Sequence, residues 1–490
     1  MERIDLKKID FAGVEGKSYS REFMSRNGVI KLDETENLVK VAVADGTNKN
    51  VISFIEGYHI PKKVSFFSVS KADFASFIGE TTTIEPMSEH KGVQEEKHAL
   101  DTITHDAPIV NIINAICIDA IHMEASDIHI ETQADFIQIR YRIDGVLQIV
   151  KKLEKSIASS ISNRIKIMAG LNTMEQRLPQ DGRMTVGVGE ENIDLRVSVI
   201  PTTNGESIVM RIFNKSAKLL SLEELGFNKN DLQRIQNCGT QPYGLILLTG
   251  PTGSGKTTTL HALLATLAIN ELKIVTIEDP VEQLIPGINQ VQINEDINLS
   301  FEGMLRRVLR QDPNVIMVGE IRDAVTAELA LRSALTGHLI LSTLHTNDSV
   351  SVIARLEDMG LEPYLIAAVL RCAVAQRLVR KVCPHCAKKA PIPQKIQTLM
   401  KKHKVEAKNT MLIATGCETC GHTGYHGRTV IGETLVIDQT IEEMIIRQKS
   451  SAEISKYAET AGMNSLASDA LRKLADSITT LSEIEREVIL

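Results

Sequence analysis

The sequence lacks any apolar run long enough to cross a membrane, and it has few aromatic side chains. No stretch approaches the roughly 18 uninterrupted apolar residues of a membrane-spanning helix. Residues 1–8 mix charges without the apolar core of a secretory signal. Aromatic residues make up 4% of the 490 residues, which counts against a channel that stacks nucleic-acid bases. A basic excess is also missing, since the formal net charge is −7. We therefore expect a cytosolic protein whose partners do not include nucleic acid.

The length and composition indicate a globular protein of several domains. Apolar residues make up 43% and charged residues 24% of the chain, as in ordinary folded proteins. The length of 490 residues exceeds what one core normally organises. We divide the chain into an amino-terminal α/β domain (1–83), a polar linker (84–99), a mixed α/β second domain (100–216), a core with buried strands (217–380), a cysteine-bearing module (381–430) and a carboxy-terminal helical extension (431–490).

Apolar periodicity predicts an α/β fold, with a parallel sheet in the core. A helix is expected from Pro108 and another over 257–268. The predicted strands are 38–44, 64–69, 127–131, 136–143, 146–150, 193–200, 207–213, 244–248, 273–277, 315–318 and 338–344.

One segment of the core fits the phosphate-binding pattern G-x-x-x-x-G-K-[ST] in full. A predicted strand precedes it and a predicted helix follows, which is the context that the pattern requires. The glycines let backbone N–H groups approach phosphate oxygens, Lys256 can pair with the β and γ phosphates, and the Thr257 hydroxyl can ligate Mg²⁺. The predicted ATP-binding residues are Gly250, Pro251, Thr252, Gly253, Ser254, Gly255, Lys256, Thr257 and Thr258.

Two core strands end in carboxylates. Glu278 follows strand 273–277, and Glu320 follows strand 315–318. Ligands bind at the carboxyl ends of strands in open α/β sheets, so these acids are candidates to hold Mg²⁺ and to orient the attacking water. The residues alone leave open which acid does which, and an ordinary solvated loop acid is the alternative for each.

Two histidines bracket the last predicted strand of the core. His338 and His345 stand at its two ends, where a histidine could sense the γ-phosphate or couple it to a neighbouring subunit. A structural histidine is the alternative.

The second domain carries several arginines on predicted strands. Arg140 and Arg142 are two residues apart and so point to one face. Arg183, Arg196 and Arg211 follow, and a guanidinium suits the charge that spreads over a transferring phosphate. Solvent-facing or ion-paired arginine is the alternative for each.

Four of the seven cysteines form two Cys-x-x-Cys pairs. Cys383, Cys386, Cys417 and Cys420 can supply four thiolates to a tetrahedral structural Zn²⁺. The other three cysteines are explained as buried small apolar residues. Seven lysines make the region 381–404 basic. A solvated face and a contact with anionic lipid or an acidic partner are both open.

Taken in order, these segments resemble four boxes of the ATPases of type II secretion and type IV pilus assembly. The boxes are the Walker A (250–257), aspartate (276–282), Walker B (309–323) and histidine (336–348) boxes, and the resemblance covers about residues 100–490. It implies a homohexameric, RecA-like ATPase preceded by a PAS-like N2 domain. It also implies that Glu320 is a Mg²⁺ or catalytic acid and that Glu278 orients water.

The resemblance further implies a place at the cytoplasmic side of the inner membrane. The motor would push on a platform protein and extrude pilin or pseudopilin, while the first domain docks on a membrane-anchored assembly protein. N2 arginines would reach the nucleotide, with Arg183 and Arg196 ahead of Arg211. The zinc module is typical of assembly and secretion members rather than retraction members. The amino-terminal region is more similar to the secretion ATPases. It lacks the Arg-Leu-Gly motif through which some pilus ATPases bind cyclic di-GMP.

Two other functions are compatible with parts of the sequence. A nucleic-acid translocating RecA-like ATPase could also carry the phosphate-binding loop and zinc knuckles, although the acidic charge disfavours it. A non-catalytic scaffold is disfavoured by the presence of Lys256, Thr257, Glu278 and Glu320.

Overall fold

The structure of the chain is a computed structural model. It describes residues 2–4, 28–35, 37–45, 51–52, 55, 62–70, 73–74, 109–110, 112–188, 191–213, 219–267, 271–294, 297–406 and 408–490. The chain forms two compact units, 1–99 and 100–490. The predicted linker 84–99 and Pro108 lie outside the described residues.

The first unit contains a four-stranded sheet. Its strands are β1 (Glu2–Arg3), β2 (Val29–Glu34), β3 (Leu38–Ala44) and β4 (Lys63–Val69), in the order β1-β4-β3-β2. β3 pairs parallel with β4 and antiparallel with β2. Successive residues of β3 face opposite sides, so Ala42 and Val43 belong to two different apolar clusters. This central strand is therefore buried on both faces.

The second unit begins with an antiparallel domain. Its elements are α1 (112–122), β5 (Asp127–Thr132), β6 (Phe136–Ile143), β7 (Val146–Glu154), α2 (Ala158–Met168), β8 (Gln180–Val188), β9 (Glu191–Thr202) and β10 (Gly205–Phe213). The sheet order is β7-β6-β5-β10-β9-β8. One face packs on α1 and α2 around residues such as Ile113, Ile139 and Ile165.

A seven-stranded sheet forms the centre of the remaining chain. Its elements are α3 (Lys229–Gly239), β11 (Gly244–Thr249), α4 (Lys256–Thr266), β12 (Ile274–Glu278), β13 (Asn289–Gln292), α5 (Phe301–Val308), β14 (Val315–Val318), α6 (Ala324–Leu335), β15 (Leu339–Leu344), α7 (Ser351–Asp358), α8 (Pro363–Val369), β16 (Leu370–Val382) and β19 (Tyr425–Val436). The order is β13-β12-β14-β15-β11-β16-β19, and only β19 runs antiparallel to its neighbour. Apolar clusters cover both faces, which explains why β11, β12, β14 and β15 are buried at every residue.

The cysteine-bearing segment and the carboxy terminus attach to the β16–β19 pair. Here lie β17 (Lys388–Pro391), α9 (Gln394–Lys402), β18 (Thr410–Ile413), α10 (Gln439–Ile446), α11 (Ser451–Thr460), α12 (Leu466–Ala475) and α13 (Leu481–Glu487). The predicted divisions after residues 380 and 430 fall inside β16 and β19. The module is therefore continuous with the edge of the large sheet.

Every predicted strand is confirmed with small shifts of its ends, while eight strands were not predicted: β1, β2, β8, β13, β16, β17, β18 and β19. His338 precedes β15 instead of beginning it. Within the part of the chain that the structure describes, no helix combines the length and the apolar character needed to traverse a bilayer.

Candidate active site

The phosphate-binding loop connects the middle of the large sheet to a helix. The fully buried β11 ends at Thr249, and α4 begins at Lys256. Gly250 has a φ of 145° and Gly255 a φ of 85°, values that residues with a Cβ atom rarely adopt. A Cβ atom at Gly250 would lie 2.5 Å from the carbonyl oxygen of Gln376. Glycine is thus required for this tight loop, which leads into a helix N-terminus that favours anions.

Lys256 is a buried cation at the start of this helix. Its Nζ donates hydrogen bonds to the carbonyl oxygens of Gly250 (2.9 Å) and Pro251 (3.1 Å). Burial lowers the pKa of Lys256, and the carboxylate of Glu320 opposes that shift. The buried hydroxyl of Ser254 has no hydrogen-bond partner among the described residues. A buried ammonium and an unsatisfied buried hydroxyl on one loop fit a phosphate group.

A cleft of about 990 Å³ lies between this loop and the sheet of the second domain. Its volume suits a ligand of nucleotide size. The predicted site residues that line it are Pro251, Thr252, Gly253, Ser254, Gly255, Lys256, Thr257, Thr258, Glu278, Glu320, His345 and Arg211. Gly250 lies in the loop behind this lining, while Arg183, Arg196 and His338 are not brought to the cleft.

Glu278 is the last residue of β12 and is only 3% exposed. One carboxylate oxygen, Oε1, accepts hydrogen bonds from Thr276 Oγ1 (2.6 Å) and Gln290 Nε2 (3.0 Å). The other, Oε2, lies 3.0 Å from His261 Nε2. Burial raises the pKa of Glu278, but these hydrogen bonds outweigh burial and the pKa falls below its ordinary value. Glu278 is therefore an ionised carboxylate with a fixed orientation.

Glu320 has a more polar and more open environment. It follows β14, which is the direct neighbour of β12 in the sheet. Its side chain is 21% exposed, pairs with the guanidinium of Arg322, and lies 3.8 Å from His345 Nε2. The two acids thus end neighbouring strands and line one cleft, as the sequence predicts.

The two predicted histidines lie at opposite ends of β15. His345 follows the strand and lines the cleft. The next residue, Thr346, donates its backbone N–H to Thr249 Oγ1 at 2.7 Å, which ties this loop to the end of β11. His338 precedes the strand, seven residues before His345, and a strand that rises ~3.3 Å per residue separates the two by about 23 Å. Its Nδ1 lies 2.9 Å from the carbonyl oxygen of Ser333. A role for His338 in coupling to a neighbouring subunit stays a prediction.

The three predicted arginines form a row across neighbouring strands. Arg183 pairs in register with Arg196, and Arg196 with Arg211, so all three lie on one face of the sheet. Arg211 is the member at the cleft, and its Nε lies 3.0 Å from Asp127 Oδ1. Within this chain Arg196 lies one strand away from Arg211 and Arg183 two strands away, so neither lines this cleft. A role for Arg183 and Arg196 at a nucleotide stays a prediction.

Several lining residues were not among the predicted site residues. Arg142, whose Nε lies 3.4 Å from Asp127 Oδ2, could have been selected from its spacing with Arg140. Four more come from strands and helices far along the chain, where no local motif marks them: Leu378, Arg428, Arg486 and Glu487.

A contact joins the second domain to the carboxy-terminal part of the core beside the cleft. The β6–β7 turn carries Asp144, whose Oδ2 accepts the backbone N–H of Gly427 at 2.8 Å. Asp144 Oδ1 also lies 3.4 Å from Arg428 Nε. Since Arg142 lies two residues before this turn, the contact fixes part of the cleft wall.

The four predicted cysteine ligands come together. Their sulfur atoms all lie within 4.8 Å of one another, and the Cys383–Cys417, Cys386–Cys420 and Cys417–Cys420 distances are 3.9, 3.9 and 3.7 Å. Four sulfurs at ~2.3 Å from a tetrahedral Zn²⁺ would stand about 3.8 Å apart. Burial raises the pKa of Cys420, but N–H groups of Cys417 and Gly424 donate to its Sγ at 3.2 Å and lower the pKa overall. The cluster is thus compatible with a metal ion held by thiolates.

Residues 102–486 match the family described as "Type II/IV secretion system protein". The chain belongs to this family. The resemblance inferred from the four boxes is thereby confirmed.

Relatives of this type II/IV secretion protein include pilus and secretion ATPases. The type IV pilus assembly ATPase PilB of Myxococcus xanthus (strain DK1622) is 39% identical over 506 residues, which cover 98% of this chain and 88% of the relative. The type II secretion system protein HxcR of Pseudomonas aeruginosa is 45% identical over 80% of each chain. The type II secretion system ATPase E of Vibrio cholerae is 44% identical over 78% of this chain and 75% of the relative.

Solved structures of other ATPases also resemble this chain. The pilus retraction motor PilT with bound ADP has a TM-score of 0.52 at 25% identity, over 77% of this chain and 96% of that one. The ATPase DotB of Legionella pneumophila has a TM-score of 0.58 at 21% identity, over 76% of this chain and 94% of that one, and supports the fold. The chain is therefore an ATPase of the type II secretion and type IV pilus assembly class, with an α/β fold.

Proposed function

We propose that this chain is a cytoplasmic, homohexameric motor that hydrolyses ATP to assemble a type IV pilus at the inner membrane. Assembly of a type II secretion pseudopilus is the second candidate. The ATPase part of this proposal rests on the cleft, which is lined by the phosphate-binding loop, the two strand-end acids and Arg211. The preference for the pilus rests on the match to a pilus assembly ATPase over 98% of this chain, whereas the secretion relatives named above match 78–80% of it.

The cleft residues divide into phosphate, metal and charge-stabilising groups. Lys256 and the loop N–H groups would bind the β and γ phosphates, and Thr257 with Glu320 would hold Mg²⁺, which neutralises phosphate charge. Glu278 would orient the attacking water. Arg211 would approach the γ-phosphate when the second domain closes on the loop, and reopening after hydrolysis would supply the mechanical step.

We assign the domains of the chain on the basis of the same family resemblance. The seven-stranded sheet would be the RecA-like core, and the six-stranded sheet with α1 and α2 would be the PAS-like N2 domain. The six-part division 1–83, 84–99, 100–216, 217–380, 381–430 and 431–490 is retained, with the module understood as an insertion between β16 and β19. The first domain would dock on a membrane-anchored assembly protein and the motor on an inner-membrane platform protein.

The tetracysteine module would bind structural Zn²⁺ and present a basic surface. Lys388, Lys389, Lys395, Lys401 and Lys402 are exposed on β17 and α9. A row of exposed lysines attracts anionic lipid at about 1 kcal/mol per residue near the membrane. We include an anionic membrane surface among the proposed partners for this reason.

The test is ATP turnover by the wild-type chain and by Lys256→Ala, each alone, with vesicles containing anionic lipid, and with single-stranded DNA. We expect the substitution to lower turnover on the order of 100-fold or more, because a buried phosphate-binding cation is lost. Lys229→Ala, an exposed lysine on α3, is the matched control and should retain turnover.

Stimulation of the wild type by vesicles but not by DNA supports the membrane-associated motor. Stimulation by DNA alone would replace it with the nucleic-acid translocase. Equal turnover by wild type and Lys256→Ala would remove the loop from the reaction and overturn the proposal.

A further inference from the structure

We propose that His261 is a positioning residue for ATP hydrolysis, which holds the Glu278 carboxylate at a fixed place relative to the phosphate-binding loop. This inference rests on the proposed function and adds to it a residue outside the four motif boxes. His261 lies five positions after Lys256 on α4, and its Nε2 is 3.0 Å from Glu278 Oε2.

The direction of this hydrogen bond follows from the chemistry of the pair. An ionised carboxylate only accepts hydrogen bonds, so the Nε2 atom of His261 must carry the proton that it shares with Glu278. The lowered pKa of Glu278 agrees with an ionised acid at neutral pH. Both side chains are buried, at 2% and 3% exposure, so that loss of the His261 donor would leave a buried carboxylate oxygen without its hydrogen bond.

The three donors to Glu278 leave it little freedom. Thr276 and Gln290 occupy one oxygen, and His261 binds the other. A carboxylate has about four lone-pair sites, so three donors leave one for a water molecule in the cleft. Thr276 and Gln290 lie on the adjoining strands β12 and β13, whereas His261 is the donor from the helix that begins at Lys256. It therefore fixes the distance between the acid and the phosphate-binding loop.

A matched pair of substitutions separates positioning from simple core packing. His261→Gln can place an amide N–H near the position of Nε2, while His261→Leu fills the space without a donor. We expect the Leu variant to lose about 10- to 100-fold in kcat, since a displacement of about 1 Å at a reacting group has that order of effect. We expect its KM for ATP and its affinity for ADP to change less than threefold, and the Gln variant to recover most of kcat.

A double-substitution cycle tests whether His261 acts through Glu278. If it does, His261→Leu combined with Glu278→Gln has the same kcat as Glu278→Gln alone. If His261→Leu does not fold, Gln290→Leu removes another donor from the same carboxylate, and a lower kcat at unchanged KM is again expected.

Several outcomes would overturn the inference. A folded Leu variant with wild-type kcat, equal losses in the Leu and Gln variants, or independent losses in the cycle would each assign His261 to packing alone. These results leave Lys256-dependent turnover intact, whereas failure of the proposed function abolishes the difference between wild type and Lys256→Ala.

Discussion

The contact between the Asp144 turn and the start of β19 is expected to control nucleotide affinity. Asp144 has a φ of 49°, a conformation that Gly and Asn adopt readily. Asp144→Gly therefore removes the side chain without straining the turn. The change deletes the 2.8 Å hydrogen bond from Gly427 and the ion pair with Arg428.

The size of the effect follows from these two interactions. A hydrogen bond to a charged group contributes about 1.5–3 kcal/mol. The ion pair contributes at most about 1 kcal/mol, because its side chains are 21% and 44% exposed. A loss of about 2 kcal/mol shifts the equilibrium of the contact roughly 30-fold. If nucleotide binds only when the contact is made, its apparent affinity falls by up to that factor.

The assay is titration of the purified full chain with a fluorescent ADP analogue. Asp144→Asn retains an oxygen acceptor for Gly427 and should lose less than about fivefold. Asp135→Gly, in the exposed turn at the other end of β6, is the control for a glycine in a turn of the same sheet. Affinity of Asp144→Gly within twofold of the wild type, in a folded protein, would refute the reasoning.

Three further predictions concern a charge, a metal and a buried acid. Arg211→Gln should lower ATP turnover on the order of 100-fold and Arg183→Gln less than threefold, because Arg211 lines the cleft and Arg183 does not. Equal losses would mean that Arg183 reaches a nucleotide from another subunit. Zinc analysis should find one ion per chain, and its removal by a chelator should lower the thermal unfolding midpoint, whereas an unchanged midpoint would exclude a structural metal. Burial raises the pKa of Asp231 from 3.8 to about 6. Folding therefore favours the protonated acid, and the free energy of unfolding falls as the pH rises from 3.8 to about 6. Asp231→Asn should therefore raise the free energy of unfolding at pH 7.5 by up to about 3 kcal/mol and leave it nearly unchanged near pH 4, which urea unfolding at both values measures.

Local patterns identified the elements that carry their own signal. β11 and β14 are continuous apolar runs, and the loop after β11 has a fixed spacing of glycines and Lys256. Both features follow from burial between two layers and from the close approach of backbone to phosphate. The tetracysteine cluster was equally predictable, because ligand spacing within each pair is set by the metal.

Elements defined by distant partners were missed for a physical reason. β16 contains Gln376 and Arg377, which are buried yet polar, because they bond the loop at Ser254 and the histidine box at Asn347. Such residues do not resemble a core strand until their partners are known. β8 begins at Gln180 and includes an aspartate-glycine pair that elsewhere marks a turn.

The environments of the two acids suggest how their roles divide. Glu278 is already satisfied by three donors, and a carboxylate so engaged has little capacity left to ligate a hydrated Mg²⁺. Its remaining lone pair suits one water molecule, held in a fixed direction. Glu320 is more open, and its charge opposes the lowering of the Lys256 pKa, which places it in the electrostatic field of the phosphate-binding lysine. We infer that Glu320 is the metal acid and Glu278 the water-orienting acid, a division set by hydrogen-bond donors on neighbouring strands and on α4.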